Sequence, residues 1–290
     1  MHQPLTVITG VLTMALLNSA TGAPSSARIR MPAVAGQFYP ANAKELRADV
    51  GKYLAVKTTL TTPPHMLVSA HAGYIFSGPV AGRGFAEIDR ATKLVILIGP
   101  SHRKWFTGVS IPDVDSFRTP LGDVALAGDV ISQIRKSPVV NAEPGAHAQE
   151  HCLEVQLPFL QVLLPHFRIV PMVVGDVEPS TVAGIVAPHL GPGVLVVASS
   201  DFSHYHPDAE ARAIDKASID AILAGNPDAN IDACGQTAIR VVMLLAKQQG
   251  LSPVLLDARN SSQTAPVMYK DPSRVVGYAS IAYVKKAGKP

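Results

Sequence analysis

Short, continuous apolar runs recur along this chain, separated by longer stretches of mixed character. Met66–Ala70, Leu94–Ile98, Ile169–Val174 and Val194–Ala198 carry no charge and give way to small or turn-forming residues. Such runs suit strands covered on both faces, as in a parallel sheet. Between them the apolar spacing shifts to the helical period. Ser77–Ile88, Gly128–Lys136, Glu150–Leu164, Pro179–His189, Ala209–Leu223 and Thr237–Gln249 are predicted helices. Pro253–Asp257 and Val275–Val284 are predicted late strands, the second alternating in the manner of an antiparallel strand. Strand and helix in alternation imply an α/β fold: three layers, a mostly parallel central sheet and helices on both faces.

The chain has 290 residues, with no linker rich in Gly, Ser or charge and no internal repeat. A single α/β domain over 31–290 is expected, its ordered part running from about Met31 to Val284. With 47% apolar and 16% charged residues, the chain can bury a sizeable core. Net charge is +3 and no basic run is present, so a nucleic-acid partner is not indicated.

The first 27 residues differ from the rest, since they contain no Lys, Arg, Asp or Glu. Leu5–Leu17 has the length of a signal-peptide apolar region, and small residues follow at Ser19, Ala20, Gly22 and Ala23. The run is too short to span a bilayer comfortably, and no later stretch is long enough. An export leader would normally open with Lys or Arg, which are missing here. Met31, heading MPAVAGQFYP, is an alternative start. Two locations therefore stand: cytoplasmic, or periplasmic or secreted if 1–27 is a cleaved leader.

Ten histidines are the unusual feature of the composition. Three of the predicted strands run into one: Ser69-Ala70-His71, Gly99-Pro100-Ser101-His102 and Ser199-Ser200-Asp201-Phe202-Ser203-His204. Open α/β sheets bind ligands outside the carboxyl ends of their strands, so His71, His102 and His204 are candidates for one site. Neutral imidazole suits iron, copper and zinc. Asp201 and His204 could complete a metal shell or act as a proton relay beside it. His147 and His151 share a face if their segment is helical, half a metal site by spacing, although a pair bonded to backbone fits as well. His65, His166 and His189 lack a strand-end context and are expected to be structural or solvated, and His2 lies in the leader.

Two cysteines exclude a disulfide-rich scaffold and a multi-cysteine cluster. Cys234 precedes a predicted helix, where a thiol pKa can be lowered; a buried, inert thiol is the alternative. Cys152 sits on an apolar helical face and is expected to pack as a small hydrophobe. There is no GxSxG elbow, phosphate loop or GxGxxG turn, which argues against the familiar hydrolase and nucleotide-binding classes.

Six segments, taken in order, resemble the Memo-like family: PAVAGQFYP (32–40), HAGYIFSGPVA (71–81), GPSH (99–102), EHCLEVQLPFLQ (150–161), SSDFSHY (199–205) and CG (234–235). Bacterial members of the family are labelled AmmeMemoRadiSam system protein B. The resemblance implies a fold similar to the class III extradiol dioxygenases, the LigB-like non-haem iron enzymes. It also implies a pocket in which His71, His102 and Cys234 hold iron(II) or copper(I), with Asp201 and His204 beside it. This chain has Gln236 where the family often has Arg, and Cys152 where Ser is common. The dioxygenases use a carboxylate where this family offers cysteine, and thiolate favours copper as well as iron. Several functions stay open. One is a redox-active metal-binding protein. Another is a dioxygenase-like enzyme on a small substrate, with His204 as acid/base and Asp201 beside it. The third is a non-catalytic peptide-binding or partner protein in a radical-SAM-associated system.

Overall fold

The computed structural model describes residues 2, 27–143, 145–267 and 271–285. Nearly all of the 1–27 leader lies outside these residues. In chain order the elements are β1 (Ile29–Arg30), α1 (Ala43–Leu54), β2 (Met66–Ser69), α2 (Tyr74–Phe85), β3 (Leu94–Pro100), β4 (Val109–Ser110), β5 (Ser116–Thr119) and β6 (Gly122–Ala125). Next come α3 (Gly128–Ile134), β7 (Val140–Asn141), α4 (Leu157–Leu163), β8 (Arg168–Val174), α5 (Pro179–Val186), β9 (Val194–Ser199) and β10 (His204–His206). The chain continues with α6 (Asp208–Leu223), α7 (Gln236–Gln249), β11 (Leu251–Asn260), α8 (Ser261–Thr264) and β12 (Val275–Lys285).

The main sheet has the order β10-β12-β2-β9-β3-β8-β4-β7, with β11 also paired to β12. Its centre, β2-β9-β3-β8, is parallel throughout. Both flanks turn antiparallel, at β12 against β2 and at β4 against β8. The expected three-layer α/β fold is present, and its sheet is mixed. The four predicted central strands form that parallel core, and the alternating Val275–Val284 run forms the antiparallel β12.

Period-two alternation explains why these strands read as unbroken apolar runs. Met66, Val68, Ile96, Ile98, Val170, Met172, Val196 and Ala198 pack in one core with residues of α3, α5, α6 and α7. Leu67, Val95, Leu97, Ile169, Val173, Leu195 and Val197 pack in a second core with α1, α2 and α4. Val95, Ile96, Leu97 and Ile98 are all fully buried, and each such side chain contributes roughly 1.5–3 kcal/mol.

Some elements differ from the periodicity. The apolar pattern of Glu150–Leu164 predicts one helix, but the regular helix is only Leu157–Leu163, preceded by a 3-10 turn at Glu154–Gln156. Residues 150–153 stay irregular because the Glu150 carboxylate accepts the backbone N–H groups of His151 and Cys152. His147 and His151 therefore do not share a helical face. His147 Nε2 instead bonds the Ser110 carbonyl at 3.1 Å. The fold also begins upstream of Met31. Arg30 is buried, paired with Glu154, and donates to the carbonyls of His147 and Glu150.

Candidate metal centre

Three parallel strands that lie side by side build the site. β9 runs between β2 and β3, so the carboxyl ends of all three open on one edge. β2 delivers His71, β3 delivers His102 and β9 delivers Ser199 and Asp201. The two rings meet edge to face with centroids 5.1 Å apart.

His71 is almost fully buried. Its Nδ1 lies 2.9 Å from Ser199 Oγ. The Ser199 hydroxyl donates its own proton to the Cys152 carbonyl at 2.6 Å, and Gln156 Nε2 donates to Ser199 Oγ at 2.7 Å. Ser199 Oγ is thus an acceptor toward His71, which places the ring proton on Nδ1 and the lone pair on Nε2. That Nε2 faces Cys234 Sγ at 3.2 Å. Burial, then the nearby charge of His102, pushes the His71 pKa down to about 3, so its ring is neutral near pH 7.

His102 is positioned by Glu150. The carboxylate accepts the His102 backbone N–H at 2.7 Å and faces its Nδ1 at 2.9 Å. With Nδ1–H bonded to the carboxylate, the lone pair of this ring also sits on Nε2. Burial alone would raise the Glu150 pKa, but hydrogen bonds from His102 outweigh it and hold the group at about 2. The His102 side chain is 27% exposed, so the centre opens to solvent on its side.

His151 is a third imidazole at this point. Its ring stacks on His102 at 4.6 Å and stands edge-on to His71 at 5.4 Å. One ring nitrogen from each of His71, His102 and His151 can be chosen so that all lie within 4.8 Å of one another. His151 Nδ1 is buried and makes no hydrogen bond. Burial, then His71, pushes its pKa down to about 3. The 147/151 spacing pairs it with the wrong residue: His147 turns to the Ser110 carbonyl, and the non-helical segment brings His151 to His71 and His102 instead.

Cys234 touches His71 but lies outside that group of converging nitrogens. It sits just before α7, clasped to the end of β9. Its N–H donates to the Asp201 carbonyl at 3.2 Å, and the Asp201 N–H donates to its sulfur at 3.3 Å. Gly235 allows this approach, since a Cβ there would meet the Ser199 carbonyl oxygen at 2.5 Å. The helix start does not lower the thiol pKa. Burial, then the Asp201 charge, pushes it up to about 12, so without a metal Cys234 is a thiol that can donate to His71 Nε2.

Asp201 is buried, and its Oδ1 accepts the His71 backbone N–H at 2.7 Å. Burial raises its pKa to about 6, partly countered by that bond. His204 opens β10, half-buried, next to Tyr205. Tyr205 is the one non-glycine residue with positive φ among the described residues, at 62°. Its ring is exposed, and the Arg274 guanidinium sits 5.1 Å from the ring centroid. Such strain is common at functional sites.

Other predicted positions fall away from the centre. His65 lies at the opposite end of β2, and His166 is exposed. Cys152 is buried, unpaired with Cys234, and donates to the Pro100 carbonyl at 3.2 Å. His102, Glu150 and Cys152 also lie within reach of one another, but the Glu150 oxygens already accept four donors and the Cys152 thiol is spent on that carbonyl. A cavity of about 320 Å³ reaches Cys234, walled by Ser101, Lys104, the exposed Trp105 and Gln236. A larger one, about 560 Å³, lies at the far end of the sheet around His65 and Lys285, away from the converging histidines.

The donor chemistry fits a transition metal. Two imidazoles each hold one nitrogen in a hydrogen bond and turn the other inward, beside a third ring with a buried nitrogen that makes no hydrogen bond and a thiol. Fold and site together define an α/β protein with a histidine-rich centre, competent for a metal, at the carboxyl edge of a parallel sheet. A profile of the Memo-like protein family matches residues 30–282, and the chain belongs to that family. It is similar to a MEMO1 family protein of Archaeoglobus fulgidus, 36% identical over 272 residues, covering 88% of this chain and 99% of the relative. A MEMO1 family protein of Aquifex aeolicus is 35% identical over 272 residues, covering 89% of this chain and 100% of the relative. One from Sulfolobus acidocaldarius is 33% identical over 285 residues, covering 88% and 99%. Among the described residues no helix is long and apolar enough to cross a membrane.

Proposed function

We propose that this protein is a metal-binding member of the Memo-like family whose pocket holds iron(II) or copper(I) on His71, His102 and Cys234. The observation that carries this reading is the pair of inward-facing imidazole nitrogens, each fixed by a bond to its other nitrogen, beside a thiol 3.2 Å from His71 Nε2. A bound metal of this kind supplies Lewis acidity or one-electron redox chemistry. The chain itself orients the donors: Ser199 sets the His71 tautomer, Glu150 sets His102, and Asp201 pins the His71 backbone. Binding must release the Cys234 proton, so affinity weakens as pH falls. Metal analysis of the full chain purified anaerobically tests the reading. Stoichiometric iron or copper that is lost in H71A and H102A but kept in H65A supports it. Metal retained in the His71/His102 double variant overturns it. Cys234→Ser is expected to weaken copper(I) more than iron(II), because a soft ligand is replaced by a hard one.

A second reading has its own support in the strained Tyr205, the His204 beside it and the buried Asp201, whose pKa near 6 suits proton transfer. In that reading the protein is a non-haem iron dioxygenase-like enzyme on a small substrate, with His204 as acid/base and Asp201 beside it. Oxygen consumption with a panel of catechols, abolished by H204A, is the expected result. No consumption with any of them by iron-loaded protein counts against it.

A further inference from the structure

We propose that His151 is a third imidazole ligand, so that the ion sits on a face of three histidines with Cys234 on its remaining side. The inference deepens the metal-binding reading and rests on it. His71 and His102 define two corners of a coordination face. A third nitrogen that converges with both comes from His151, within 4.8 Å of each. Four-coordinate ions with metal–nitrogen bonds of about 2.0–2.1 Å need their nitrogens roughly 3.4 Å apart. The ring is held for this role from its backbone: the His151 N–H donates to Glu150 Oε1 at 2.9 Å, the same oxygen that faces His102 Nδ1. One carboxylate thus sets the height of both rings, which stack at 4.6 Å.

A purely structural role leaves two features unexplained. His151 Nδ1 is buried and, although Glu150 Oε1 lies 3.4 Å away, forms no hydrogen bond, whereas buried polar atoms normally have a partner. Three imidazoles also meet at one point, where apolar rings would pack with no desolvation cost. Cys234 reaches the same point only through His71. The geometry favours three nitrogens as the holding face, with the sulfur completing the shell.

Metal-free full-length protein loaded with cobalt(II) provides the probe. Chelator competition reads affinity, and optical and X-ray absorption spectra read coordination. His151→Ala and His151→Phe are compared with H71A, H102A and H65A; the Phe variant keeps the ring stack on His102 and removes the nitrogens. Expected are a loss of at least about 10-fold in cobalt affinity in both His151 variants, one fewer imidazole in the X-ray absorption fit, and retention of the sulfur-to-cobalt charge-transfer band. Cobalt affinity and spectra unchanged in H151F, while H71A and H102A lose the ion, overturn the place given to His151 and leave the metal-binding reading standing. Cobalt retained in H71A and H102A removes that reading and this inference together.

Discussion

The Nε2 of His71 lies 3.2 Å from the Sγ of Cys234 because Ser199 holds the other nitrogen of the ring. The serine hydroxyl proton is committed to the Cys152 carbonyl, so the oxygen acts on His71 only as an acceptor. Replacing Ser199 with Ala frees the imidazole to take either tautomer and strands a buried N–H. The expected result is a loss of about 10–100-fold in metal affinity, as for other partners of ligating histidines. It comes with about 1–3 kcal/mol of destabilisation. Metal competition and urea unfolding measure the two effects separately. Unchanged affinity in S199A would show that the serine does not set the tautomer.

Glu150 serves two rings, and Glu150→Gln removes the charge without changing shape. The amide offers one acceptor oxygen where the carboxylate bonds His102 through both. The variant should lose about 10–100-fold in affinity, and Glu150→Ala more. Equal affinity in wild type and E150Q would remove the carboxylate from the account of how His102 is oriented.

Glu154 is a buried anchor away from the histidine centre. It pairs with Arg30 and accepts the N–H groups of Ala33 and Val34 and the Tyr39 hydroxyl. Breaking a buried pair from one side costs about 3–5 kcal/mol. Glu154→Gln and a chain started at Met31, which lacks Arg30, should both lower the urea midpoint. A chain started at Ala27 should match the full protein. A Met31 start as stable as the Ala27 start would contradict the role given to Arg30.

Acid should destabilise the metal-free protein. Burial lowers His71 and His151 to about 3 and His147 to about 4, so each stays neutral in the fold while the unfolded chain protonates below about 6.5. The unfolded state binds more protons in that window, and stability falls as pH drops, by up to ~1.4 kcal/mol per pH unit for each histidine. Asp201 and Asp215 act in reverse. Burial raises both, so they hold protons in the fold that the unfolded chain has lost, and their contribution fades as pH rises. Three histidines outweigh two carboxyls between about pH 6 and 4. Thermal midpoints in chelator from about pH 7.5 to 4.5 should fall monotonically. A midpoint that rises on acidification would refute the neutral buried histidines.

The central strands were legible because burial on both faces writes an unbroken apolar run. His71 and His102 were legible because strand ends in an open sheet are where side chains converge. α1 escaped notice although Asn42 caps it, accepting from the backbone N–H groups of Lys44 and Glu45, and Leu46 and Val50 form its buried stripe. Strands β4, β5, β6 and β7 have two to four residues each, too short for a periodic pattern. His151 was read in the wrong geometry because Leu157–Leu163 extends its apolar pattern back through residues that fold as turns. Ser199, Gln156 and Glu150 act through hydrogen bonds between segments distant in sequence, and no local spacing records such bonds. Cys234 lies 3.2 Å from His71, but its pKa follows burial rather than the helix start, because the thiol is enclosed before α7 begins.

Five polar or ring-bearing side chains leave the seven residues from Glu150 to Gln156 for different destinations. Glu150 goes to His102, His151 to the ring cluster, Cys152 to Pro100, Glu154 to Arg30 and Tyr39, and Gln156 to Ser69, Ala70 and Ser199. A stretch with this many simultaneous addressees has no tolerance for a change of length. One inserted residue would shift every address downstream of it by a position. Substitutions inside the stretch should show strong epistasis with one another, since each rewires a partner that another member also helps to hold. For anyone redesigning the pocket, these seven residues are better transplanted as a block than edited singly.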